Sequence, residues 1–101
     1  MQIINESDMH ITWWCYNSYD EVREFVCEGG RGDLAPGRRV SYNPPKNDTD
    51  RYYVQITTLH GNLPYSWWKA SDQYTYARCL GIRGDETLTY RGSTSFEAIV
   101  T

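Results

Sequence analysis

Arg51-Tyr52-Tyr53-Val54-Gln55-Ile56-Thr57-Thr58-Leu59 is the stretch whose reading decides the fold. Successive side chains of a β-strand point to opposite faces. As a strand, this run places Tyr52, Val54 and Ile56 on one face and Tyr53, Gln55 and Thr57 on the other. The first set is apolar and suits a core, and its β-branched and aromatic members favour a pleated, half-buried surface. The same alternation recurs at positions 10–16. There Ile11, Trp13 and Cys15 form the more apolar face, and Thr12, Trp14 and Tyr16 the other.

Working outward, period-two patterning predicts further strands over 2–5, 39–42, 74–82, 86–90 and 96–100. Turn clusters separate them. Leu34-Ala35-Pro36-Gly37 combines a preset proline φ with a glycine free to turn, and 43–50, 60–64 and 91–94 are rich in Pro, Gly, Asn, Asp, Ser and Thr. One segment reads differently. Ser18 with Glu21 three residues later makes a capping box, Val22, Phe25 and Val26 recur at helical spacing, and Gly29-Gly30 would end the element. A competing strand reading pairs Phe25 with Cys27 on one face.

Turn signals at roughly 8–12-residue spacing are the signature of sandwiches and barrels. The expected fold is therefore mainly β. It is a single domain over 1–101, an antiparallel β-sandwich or partly closed barrel of roughly seven or eight strands, with at most one short helix near residues 18–28. The expected core is Ile11, Trp13, Cys15, Tyr52, Val54, Ile56, Leu88, Phe96, Ala98 and Val100.

Function is approached through the aromatic doublets Trp13-Trp14, Tyr52-Tyr53 and Trp67-Trp68. On a strand, a doublet sends one ring inward and one outward. Nine Tyr and four Trp against two Phe skew the aromatics toward residues with a polar tip, which suit half-wet surfaces. Large exposed apolar patches mark binding sites. Sugar rings offer an apolar C–H face and a hydroxyl rim, which aromatic faces and placed polar side chains meet respectively. The expectation is a non-enzymatic, lectin-like module that binds a carbohydrate or other cell-surface ligand. Trp14, Tyr16, Tyr53 and Trp67 or Trp68 would stack on it, with Asn17, Gln55 and Asp72 as hydrogen-bonding partners. The alternative is a structural or interaction protein that buries the aromatic face in a homo-oligomer or partner interface, where Tyr, Trp and Arg are also enriched; in a third reading both faces of the strands are covered and all the rings are core.

Other chemistries are weakly signalled. A net charge of −3 with scattered basic residues argues against nucleic acid. No apolar run approaches the ~20 residues that span a bilayer. The first residues lack the charged and apolar regions of a signal peptide, leaving a cytoplasmic protein or one secreted with its signal removed. Cys15, Cys27 and Cys79 are an odd, sparse set that reads as reduced thiols, although a Cys15–Cys27 bridge is allowed by separation. Neither His10 nor His60 joins them at zinc-ligand spacing. A Cys–His pair could in principle activate a thiolate, but enzymatic function is not expected. No cofactor is expected either, calcium being the one candidate. Asn47-Asp48-Thr49-Asp50 offers hard oxygen donors at a spacing that does not match the helix–loop–helix calcium loop. Asn5-Glu6-Ser7 and Asn47-Asp48-Thr49 fit the glycosylation acceptor pattern. Arg31-Gly32-Asp33 and Arg83-Gly84-Asp85 repeat a tripeptide known for integrin recognition, and turn chemistry is the stronger reading of both.

Overall fold

The computed structural model describes residues 1–17, 26–58, 76–91 and 98–101. Eight strands run through them: β1 (Gln2–Asn5), β2 (Ile11–Tyr16), β3 (Val26–Leu34), β4 (Arg39–Ser41), β5 (Tyr52–Thr58), β6 (Tyr76–Ile82), β7 (Thr87–Tyr90) and β8 (Ala98–Val100). They form two four-stranded sheets. The first has the order β4-β1-β7-β8 and the second β3-β2-β5-β6. The mainly β reading with two sheets holds.

Pairing departs from expectation in one place. The second sheet is antiparallel throughout, but in the first β1 runs parallel to β7, with Gln2 opposite Thr87 and Asn5 opposite Tyr90. Periodicity fixes which face of a strand is apolar, not which strand lies beside it. Here the chain leaves the first sheet after β1 for β2 and β3, returns as β4 along one side of β1, leaves again for β5 and β6, and comes back as β7 along the other side of β1.

β3 is the other departure. The helix considered for 18–28 does not reach 26–28, where Val26, Cys27 and Glu28 open β3, while 18–25 lie outside the described residues. Glycines inside a strand usually mark a bulge or a close approach, and β3 uses them for both. Gly29 adopts φ 71°, inside a register break between the Trp14–Arg31 and Tyr16–Val26 pairs. Gly32 lies directly opposite Trp13, and a Cβ there would meet the indole Nε1 at 2.7 Å. The indole thus lies over the glycine, which a side chain at 32 would prevent.

Both sheets contribute to one buried cluster. Ile3, Leu88 and Tyr90 enter it from the first sheet, and Ile11, Trp13, Cys15, Cys27, Leu34, Tyr52, Val54, Ile56 and Ile82 from the second. Val40, Tyr42 and Val100 pack against its border. Of the expected core, Ile11, Trp13, Cys15, Tyr52, Val54, Ile56 and Leu88 are buried and Val100 is half-buried. Phe96 and the side chain of Ala98 lie outside the described residues. Along one border the backbones of β6 and β8 come close together.

Asn5 ties the sheets to a turn. It is fully buried, and its amide donates to Met9 O at 2.7 Å and Leu34 O at 3.1 Å. Its Oδ1 accepts from Ser7 N at 3.0 Å and Ser7 Oγ at 2.6 Å. A buried amide with every bond made specifies geometry at little net cost. It also removes Asn5 as a glycan acceptor in the folded chain, since that modification requires an exposed asparagine.

Candidate functional site

Of the residues singled out for binding, Trp14, Tyr16, Tyr53 and Gln55 lie on the face of the second sheet turned away from the core. Register places them in three rows across β3, β2 and β5: Asp33–Thr12–Thr57, Arg31–Trp14–Gln55 and Val26–Tyr16–Tyr53. The first row is polar, the second mixed and the third apolar. Thr12 Oγ1 donates to Asp33 Oδ1 at 2.6 Å. The Arg31 guanidinium carbon lies 6.0 Å from the Trp14 ring centroid, within cation–π range. Tyr16 and Tyr53 pack as a tilted pair, with centroids 5.8 Å apart and planes at 50°.

The rings are not exposed as expected. Trp14 keeps 7% of its accessible surface, Tyr16 8% and Tyr53 2%. Every residue of β2 is buried, so this strand is covered on both faces. Part of the cover comes from lateral neighbours: Arg31 lies over Trp14, and Tyr16 and Tyr53 tilt into each other. Solvent reaches the face chiefly along edge strand β3, where Val26, Arg31 and Asp33 are exposed, and at Asn17. Gln55 is half-buried. Thr57 Oγ1 is buried with no hydrogen-bond partner among the described residues. Trp67, Trp68 and Asp72 lie outside the described residues.

Asn17 joins three segments at one end of this face. Its Oδ1 accepts from Cys27 Sγ at 3.7 Å and from Asn47 Nδ2 at 3.4 Å, and its backbone oxygen accepts from the same Nδ2 at 3.3 Å. Asn47 also donates to Arg51 O at 2.9 Å, while its Oδ1 accepts from Thr49 N and Oγ1. That is an Asx turn, the non-metal reading of 47–50. Asp50 Oδ1 accepts from Gly84 N at 3.3 Å. Among the described residues no three His, Cys, Asp or Glu side chains converge as metal ligands.

The tripeptides have structural work. Arg31-Gly32-Asp33 is strand rather than loop, with both charges outward and the glycine beneath Trp13. Arg83-Gly84-Asp85 occupies the turn from β6 to β7, where Glu86 N donates to Arg83 O at 3.2 Å and Arg83 N donates to Glu86 Oε1 at 2.7 Å. Turn chemistry is the reading that the sequence favours for Arg31 and Asp33, whereas the structure places both on the outer face of β3. Their signal was the spacing of two around a glycine, which is strand periodicity.

Catalysis by Cys15 is chemically disfavoured. Burial, and then the adjacent Cys27 thiol, push its ionisation far above the ordinary thiol range, so it remains protonated near neutrality. Cys27 is likewise buried, and His10 is exposed. Among the described residues no helix is long and apolar enough to cross a membrane. In comparisons with known proteins, no family model, no curated protein and no solved structure matches this chain.

Proposed function

We propose that the chain is a non-enzymatic binding module, that its contact surface is the outer face of the second sheet along β3, and that its ligand is a carbohydrate. The observation that carries this reading is the Arg31–Trp14–Gln55 row beside the Asp33–Thr12 pair. It sets a guanidinium over the Trp14 ring, with the Gln55 amide beside that ring in register and the Asp33 carboxylate in the next row. Arg31 and Asp33 are two residues apart on one strand, roughly 7 Å, a spacing on the scale of one sugar ring. Side chains anchored by neighbours lose little freedom on binding, which favours affinity. Because Trp14, Tyr16 and Tyr53 are buried, the direct contacts fall to Arg31, Asp33, Asn17 and Gln55, with the rings as support.

The test is a glycan array with labelled protein, with calcium and with chelator, repeated with Arg31→Ala and Asp33→Asn. A specific hit, lost in both variants while their circular dichroism stays native, is the expected result. A blank array in both buffers refutes it.

One observation favours the alternative. Val26 is 39% exposed, the exposed large hydrophobic residue among those described, and it shares this face on an edge strand. Burying it against a second copy or a partner would make the chain an interaction protein. Sedimentation that stays monomeric across micromolar concentrations argues against self-association.

A further inference from the structure

Cys15 and Cys27 both lie beside the register break at the end of the β2–β3 pairing. Tyr16 is opposite Val26. Cys15 and Cys27 each adjoin that pair, Cys15 one step back on β2 and Cys27 one step forward on β3, at the point where the register shifts. The bulge then absorbs 28–30 before Trp14 meets Arg31. Both side chains enter the same buried cluster, and both thiols are reduced. A Cβ placed on Gly30 would lie 2.9 Å from Cys27 O and 3.1 Å from Cys15 O, so the bulge wraps both cysteine backbones around one point. The two cysteines adjoin the Tyr16–Val26 pair, and opposed antiparallel residues have Cα atoms about 4.5–5.5 Å apart, close to the roughly 4.4–6.8 Å a disulfide needs.

We propose that Cys15 and Cys27 form an intramolecular disulfide that staples the beginning of edge strand β3 to central strand β2 when the chain folds in an oxidising thiol pool. The oxidant is a small-molecule disulfide of the oxidised-glutathione class. One cysteine thiolate attacks its S–S bond and releases the first glutathione thiol. The second cysteine attacks the resulting mixed disulfide and releases the other. Two protein S–H bonds and one small-molecule S–S bond are lost. One protein S–S bond forms, and the two released thiols carry away two protons and two electrons. Burial makes the pair slow to react once the chain is folded, so the bond forms during folding and is afterwards shielded from reductant. The Cys27 S–H that now points at Asn17 Oδ1 is consumed, and Asn47 continues to hold Asn17.

The experiment refolds reduced, denatured protein in excess oxidised glutathione, alkylates the remaining thiols and maps peptides without reduction. The expected result is a peptide linking positions 15 and 27, with Cys79 alkylated. The melting temperature should lie roughly 10–20 °C above that of the reduced protein, and Cys27→Ala should abolish both changes. If that variant does not fold, the map of the unsubstituted protein decides alone. Alkylation of all three cysteines, a link through Cys79, or a 15–27 link that lowers the melting temperature overturns the proposal.

Discussion

Replacing Gly32 by alanine should destabilise the protein through one atom. The new Cβ would lie 2.7 Å from Trp13 Nε1, 3.1 Å from Cε2 and 3.2 Å from Cζ2, and the first of these is about 0.7 Å inside ordinary van der Waals contact. The indole has little room to retreat. Trp13 is 3% exposed, sits in the shared core, and packs against Tyr42 with ring centroids 5.3 Å apart. Forcing an extra methyl group into such a site costs about 1–3 kcal/mol. Gly32 does not hold a positive φ, so alanine also narrows the unfolded ensemble, which returns about 0.4–1 kcal/mol. The net loss is about 1–2 kcal/mol, a drop of roughly 5–15 °C in melting temperature for a domain of this size. Thermal and urea unfolding of the variant measure it. The decisive control is the same substitution in a Trp13→Phe background, where the clashing pyrrole ring is gone and alanine at 32 should be neutral or stabilising. An equal penalty in both backgrounds, or none in either, would refute the reasoning.

Other perturbations read other parts of the structure. Trp14→Ala should cost about 3–5 kcal/mol, because the ring is buried although it lies outside the core cluster; an unfolding midpoint unchanged by the substitution would mean the ring is exposed in solution. Asn5→Ala should cost about 2–4 kcal/mol by leaving Met9 O and Leu34 O without their amide donor, and a urea titration reads the loss directly. Thr57→Val, which removes a buried hydroxyl that has no partner among the described residues, should be neutral or up to about 1 kcal/mol stabilising; a marked loss of stability would reveal a bond to that hydroxyl. Alkaline pH should unfold the protein: burial raises the phenols of Tyr42, Tyr52 and Tyr90 above the ordinary value of 10.0. Their stabilisation is complete below that value and is lost as pH climbs from 10 through the folded-state values, because only the unfolded chain gives up those protons there. Phenolate absorbance from these three residues should therefore rise together with loss of near-UV circular dichroism, and ionisation within an intact fold would contradict the burial argument.

The legible part of this protein was its alternation. Ile11, Trp13 and Cys15, and Tyr52, Val54 and Ile56, announced their core face because a strand's side-chain period is two, whatever lies beside it. Loop positions such as Asn47 and the turn at Pro36-Gly37 were legible for a similar reason, since their backbone preferences are local. β3 was not. Its glycines read as breakers, and only the approach of Trp13 and the bulge at Gly29 make them strand residues. The candidate site was half legible. Trp14, Tyr16, Tyr53 and Gln55 do share one face, as alternation required, yet the exposed residues there are the expected Asn17 together with Val26, Arg31 and Asp33 from the neighbouring strand. Alone, the sequence determined which residues point the same way along each strand, because that follows from covalent geometry. Tertiary structure alone decided which strands are neighbours, that β1 runs parallel to β7, that Cys15 and Cys27 share one buried cluster, and that the outward rings are covered, because pairing and burial depend on contacts between segments far apart in the chain.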